Sequence, residues 1–283
     1  MDGISIIVTA YKTQNYIKEC LDSIQAQTWF NTHDNYEILL GIDHCEETLN
    51  KVKEIMGRYK NLTVIYMDEN YGTYITSNTL ISISKYDWIL RFDSDDIMKP
   101  DMVQSIFEFL EVERTTDIIR FYSKEFSNTF NVAKHPVLSH GQLCIRKSVF
   151  KNYGAFKAWI CSADSELLAR LKTEVKIKNL SKVTFFRRRH ALSLTKMRKT
   201  DMNSPIRQKY WDYIKEKSKL NPIVETQLGN YKMVLADGFS DLVINASVGA
   251  PIIELPVKQE VKQEVKPVSK KVFLRSKHSY YGV

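Results

Sequence analysis

Apolar positions in the first hundred residues follow two alternating rhythms. Short β-branched runs, Ser5 to Thr9, Tyr36 to Ile42, Leu62 to Met67 and Trp88 to Phe92, are apolar nearly throughout and read as buried strands. Between them, Tyr16 to Ala26, Glu46 to Tyr59 and Tyr74 to Ser84 carry apolar residues three and four apart and read as helices. Strands apolar on both faces, alternating with helices of this length, predict a mostly parallel sheet covered on two sides. The fold class is α/β, doubly wound.

Farther along the alternation loosens. Pro100 fits the first turn of a helix running to about Glu113. Asp117 to Phe121 and His140 to Ile145 read as strands, Lys147 to Asn152 and Asp164 to Lys172 as helices, and Val175 to Arg187 as one or two strands. Pro205 to Lys219 closes the pattern as an amphipathic helix. The predicted ordered unit is therefore 1–220, followed by a C-terminal extension, 221–255, and a flexible basic tail, 256–283, whose Val-Lys-Gln-Glu repeat reads as a linker or disordered arm.

Composition adds a soluble, globular character: of 283 residues 43% are hydrophobic and 26% charged, enough to bury a substantial core without staples. Cys20, Cys45, Cys144 and Cys161 are scattered, with no zinc-site spacing, and read as small buried apolar residues of a reducing compartment. The apolar runs fall far short of the roughly 20 residues a membrane-spanning helix needs. The expectation is a cytoplasmic chain without a transmembrane segment. The net charge of +8 is unevenly placed. The window Arg170 to Lys199 holds eleven basic residues against one acid, and Pro256 to Val283 seven against two, which leaves the remainder acidic. One of these segments should face something anionic. Within the first, Arg187-Arg188-Arg189-His190 would repel itself unless phosphate or carboxylate balanced it.

In a parallel α/β sheet, ligands bind at the carboxyl ends of the strands. The residues there are Thr9-Ala10-Tyr11, Asp43, Asp68-Glu69-Asn70 and Asp93-Ser94-Asp95-Asp96. No glycine-rich dinucleotide or P-loop motif follows the first strand. Three carboxylates within four residues disfavour one another unless a cation intervenes. Such hard oxygen ligands suit Mg²⁺ or Mn²⁺, which would bridge to phosphate. Asp93 and Asp95 read as this functional pair, and Asp96 as a cap of the helix near Pro100.

These residues resemble the GT-A fold, family 2 glycosyltransferases, metal-dependent inverting enzymes that use nucleotide-diphosphate sugars. The resemblance runs through Ile4 to Tyr11, Tyr16 to Thr28, Asn70-Tyr-Gly-Thr, Asp93-Ser-Asp-Asp, Gly154-Ala-Phe, Ala163 to Leu171 and Arg189-His-Ala-Leu-Ser-Leu-Thr, in order over roughly residues 1 to 200. It implies a nucleotide-sugar half, about 1–115, and an acceptor half, about 116–220. Thr9, Tyr11 and Asp43 would hold base and ribose, and Asn70 and Ser94 would join the nucleotide-sugar set. Asp93-Ser94-Asp95 matches the family's DXD motif, with Asp93 on ribose or metal and Asp95 on the divalent cation. His190 would complete the metal site or touch the diphosphate, with Arg187 or Arg189 on phosphate oxygens. Asp164 matches the general base, with Glu166 as a rival and a helix cap as the alternative role. Two positions depart from the family pattern: Ala163 stands where Glu is common, and Asp43 stands without a second acid.

The family's commonest donor is UDP-linked. The acceptor is a glycan or other hydroxyl compound, and the two basic segments suit a polyanionic one, an acidic glycan, a teichoic-type polymer or DNA, or a peripheral position on an anionic membrane. The competing expectations are the same chemistry on a hydroxylated DNA base, and a non-catalytic nucleotide or nucleic-acid binding protein on this fold.

Overall fold

The computed structural model describes residues 3–127, 129, 131–217 and 253–254. The tail and nearly all of the C-terminal extension lie outside the described residues. Among the described residues nine strands form one sheet: β1 (Ile4–Ala10), β2 (Tyr36–Ile42), β3 (Leu62–Tyr66), β4 (Trp88–Asp93), β5 (Ile97–Met98), β6 (Ile118–Ser127), β7 (Val137–Arg146), β8 (Ile177–Arg189) and β9 (Ile253–Glu254). Their order is β5-β8-β6-β7-β4-β1-β2-β3-β9.

The parallel core is β3-β2-β1-β4, as the rhythm of the first hundred residues predicts. Because every residue of β1 is buried, both faces of the sheet must be covered. Ile4, Ile6, Val8 and Ala10 pack toward α1 (Ile17–Gln25), α2 (Glu46–Ile55) and α4 (Met102–Val112), while Ile7 points to the opposite layer. That second layer is built by α3 (Thr73–Ile83), α5 (Lys147–Tyr153) and α6 (Ala163–Leu171). Each fully buried Ile or Leu contributes about 1.5–3 kcal/mol. Gly41 on β2 lets α3 approach, since a Cβ there would stand 2.5 Å from Thr76 Cγ2.

The second half departs from simple winding. β7 inserts antiparallel between β4 and β6, and β8 runs parallel to β6 with register shifts around Tyr122. α7 (Pro205–Lys217) closes the described chain. Pro100 is corrected from the first helical turn to the turn before it: its carbonyl accepts from the Thr28 N–H at 2.9 Å, and α4 starts at Met102. Asp101, at the N-cap position, gives its carboxylate to Lys182 at 2.7 Å rather than to the helix. All four cysteines are free and buried. Among the described residues no helix is long and apolar enough to cross a membrane.

Candidate active site

β1 lies between β2 and β4, with Thr9 level with both Gly41 and Asp93. The strand order reverses here, with β2 on one side of β1 and β4 on the other, and in open α/β sheets the ligand crevice lies at the carboxyl ends of the strands at such a point. Its floor is a buried polar network centred on Arg91, the charged residue of the otherwise apolar run Trp88 to Phe92. Arg91 is 4% exposed, with its guanidinium over the Tyr74 and Phe156 rings at 5.6 and 6.0 Å. It donates to Ser77 Oγ (3.3 Å), Thr73 Oγ1 (3.0 Å) and the Gly141 carbonyl (2.7 Å), and pairs with Asp93 Oδ1 (3.0 Å). Thr73 Oγ1 also meets Thr9 Oγ1 at 2.7 Å, which ties the end of β1 to the start of α3.

Gln142 on β7 divides its amide between two acids. Its Nε2 donates to Asp93 Oδ2 and to Asp96 Oδ2, each at 2.7 Å. The other Asp96 oxygen accepts from the Arg188 N–H at 2.8 Å. Asp96 is therefore corrected from a helix cap to a buried acid that joins β7, β8 and the turn after β4. Burial pushes its pKa well up, with Asp95 and Asp93 adding to the rise. Burial also raises Asp93, against the lowering effect of Arg91.

Asp95 turns the other way. Its Oδ2 lies 2.7 Å from His190 Nε2, and the His190 ring packs against Tyr16 with centroids 4.8 Å apart. His190 Nδ1 is buried without a hydrogen-bond partner. Of the three expected metal ligands, then, two meet, and Asp93 is engaged by Arg91 and Gln142. Among the described residues no group of three or more His, Cys, Asp or Glu side chains is arranged to hold a metal ion.

The basic run beside them is balanced by carboxylates. Arg188 pairs with Glu19, donates to the Asp95 carbonyl at 2.9 Å and lies over the Tyr16 and Phe126 rings. Glu125 spans Arg189 at 2.5 Å and Arg187 at 3.7 Å. Arg187 also lies near enough to lower the pKa values of Asp93 and Asp96.

Asp43, 3% exposed, accepts from the Tyr71 N–H at 2.8 Å and the Gly72 N–H at 2.9 Å, so its carboxylate holds the turn that opens α3. Burial raises its pKa, and those two N–H groups oppose the rise. Asn70 is exposed on that turn and reaches the Asp43 carbonyl at 3.5 Å. Ser94 is buried, whereas Tyr11 is 44% exposed at the mouth of the crevice.

On the facing wall, Asp164 sits in the first turn of α6. Ser162 occupies the N-cap position, so Asp164 does not cap the helix; its Oδ1 accepts from the Ser165 N–H at 2.7 Å. Tyr74 lies close by: burial, with the Asp164 charge adding to it, pushes its phenol pKa well up. A Cβ placed on Gly141 would lie 3.5 Å from Asp164 Oδ2 and 3.6 Å from Asp93 Oδ2, so the two acids face each other across this glycine. Glu166, the rival candidate, is already engaged. It is buried in a two-point pair with Arg170 at 2.9 and 3.2 Å, and Arg170 in turn holds the carbonyls of Tyr153 and Ala155.

This crevice, with its acids at the ends of β2 and β4, is that of a GT-A fold. The sequence model described as "Glycosyl transferase family 2" matches residues 5–211, and the chain belongs to that family. Glycosyltransferase GlyG of Streptococcus pneumoniae is 28% identical over 117 residues, 41% of this chain and 37% of that protein. Such matches span little more than a third of the curated relatives' own length. S. aureus TarS 1–349 in complex with UDP-GlcNAc superposes with a TM-score of 0.58 at 16% identity, covering 82% of this chain and 75% of that one. The mannosyltransferase PcManGT of Pyrobaculum calidifontis, in complex with GDP-Man and Mn²⁺, gives 0.58 at 14%, covering 84% and 76%. At these identities the likeness is one of fold.

Proposed function

We propose that the chain is a metal-dependent inverting glycosyltransferase, moving a sugar from a nucleotide-diphosphate sugar, UDP-linked by family default, to an acceptor hydroxyl. The observation that carries this reading is the meeting of Asp93 and Asp164 across Gly141, with the Asp95–His190 pair beside them. A binding module has no need of an acid on the acceptor wall. The nucleotide complexes of the fold neighbours support the donor class.

Thr9, Asn70 and the exposed Tyr11 ring would line the base and ribose, with Asp43 fixing the turn on which Asn70 sits. Asp95 and His190 fit a divalent cation: Mg²⁺ and Mn²⁺ bind through one or two protein groups and complete their shell on phosphate and water. Such a cation neutralises the charge that develops on the departing diphosphate. Arg187 adds positive charge on the same side, while Arg91 and Gln142 keep Asp93 in place.

Asp164 takes the proton of the acceptor hydroxyl. That oxygen bonds to the anomeric carbon as the carbon–oxygen bond to the diphosphate breaks on the opposite face. General-base catalysis of this kind contributes about 10²- to 10⁴-fold. The test is turnover of the Asp164→Asn variant. A loss of that size with nucleotide binding retained is the expected result, and undiminished turnover would overturn the assignment.

A further inference from the structure

Two arginines stand in one row across the sheet and are satisfied very differently. Arg91 on β4 and Arg120 on β6 both pair in register with Leu143 of the strand between them. Ile118, two residues before Arg120, packs in the same layer as Leu143 and α6. Arg91 spends its donors on three oxygens and a carboxylate, as above. Among the described residues the Arg120 side chain has no hydrogen bond or ion pair, and its Nε is buried without a partner. Burial pushes the guanidinium pKa down. A half-buried cation whose Nε donor is out of reach of water and has no acceptor is costly unless an anion meets it.

The acceptor wall lies next to it. His140 is close enough to feel both Arg120 and Asp164. Its Nδ1 stands 3.4 Å from the hydroxyl of Ser165, the residue after Asp164. Arg120 is also outside both basic segments of the chain, so their bulk charge does not explain it.

We propose that Arg120 receives an oxyanion carried by the acceptor, a phosphate or a carboxylate near the hydroxyl that Asp164 deprotonates, so that the acceptor is an anionic sugar or polyol. A guanidinium fork matches two oxygens of either group at once, which fixes orientation as well as charge. The proposal rests on the reading of Asp164 as the acceptor-side base.

The test is NMR of the arginine Nε–Hε groups in the full chain, with the donor site filled by UDP and the diamagnetic Mg²⁺ and the Arg120 signal identified by its loss in Arg120→Lys. Glycerol 3-phosphate and glucuronate are the probes, with glycerol and glucose as their neutral counterparts. The Arg120 signal should shift saturably with one of the anions at a concentration at least tenfold below any effect of the matching neutral compound. Which anion acts distinguishes phosphate from carboxylate. In Arg120→Met the affinity for that probe should fall at least tenfold while UDP binding is unchanged. An Arg120 signal that neither anion moves would overturn the proposal, as would anion binding that survives in Arg120→Met. Failure of UDP and every other nucleoside diphosphate to bind the wild type would instead overturn the transferase reading, and this proposal with it.

Discussion

His190 Nε2 lies 2.7 Å from Asp95 Oδ2, joining two residues 95 positions apart in the chain. β5 and β8 hold this contact in place, since Ile97, two residues after Asp95, pairs with Phe186, four residues before His190. If the pair holds a divalent cation, His190→Ala should weaken metal-dependent nucleotide binding by about 10- to 100-fold, the usual effect of disturbing a metal's protein surroundings. Binding without metal should be unchanged. Calorimetric titration with and without Mn²⁺ separates the two.

Asp164 and Glu166 lie in one helical turn yet should fail in different ways. Asp164→Asn should leave the melting temperature near wild type and lower turnover by about 10²- to 10⁴-fold. Glu166→Ala strands the buried Arg170 and should cost about 3–5 kcal/mol of stability. Turnover per folded molecule should survive in it. Denaturant unfolding and activity measured on the same samples check both.

Gln142 keeps Asp93 and Asp96 apart with one N–H for each. Gln142→Leu withdraws both donors and should cost about 1–3 kcal/mol for each group left unsatisfied. Gln142→Glu places a further carboxylate between two others, so its loss should be larger at neutral pH than in acid. Unfolding curves at two pH values distinguish the variants.

Asp43 has a pKa raised above its ordinary value of 3.8 by burial. An acid whose folded pKa exceeds its unfolded one binds its proton more tightly when folded. Its contribution to stability is therefore full below the unfolded value and lost as pH rises through the folded one. Wild type should show this decline as pH rises above 3.8, and Asp43→Asn should not. The variant should also be less stable at neutral pH, because one carboxamide oxygen cannot serve both the Tyr71 and Gly72 N–H groups. Melting temperatures of both proteins across pH 4 to 7 provide the comparison.

The parallel core was legible because its signals are local. A strand buried on both faces is apolar throughout, and the β1 to β4 boundaries fall within a residue or two of those read from the sequence. The acids at the strand ends were legible for the same reason. Arg91 and Gln142 were not: their partners come from Thr73, Ser77, Gly141, Asp93 and Asp96, which only the insertion of β7 beside β4 brings together. One signal for Arg91 was present, a charge inside an apolar strand, which must find partners if buried. Asp96 was read as a cap because capping is a short-range rule, whereas its partner Arg188 lies 92 residues away. The balance of the arginine run by Glu19 and Glu125 is likewise a long-range fact.

Whether Asp95 anchors a cation-dependent donor site is decided by calorimetry. UDP, GDP, CDP and dTDP are each titrated into wild type and Asp95→Ala, with and without Mn²⁺. One nucleotide should bind wild type in a metal-dependent way and lose that dependence in the variant. Absence of binding by every diphosphate, or metal-dependent binding that persists in Asp95→Ala, would contradict the account.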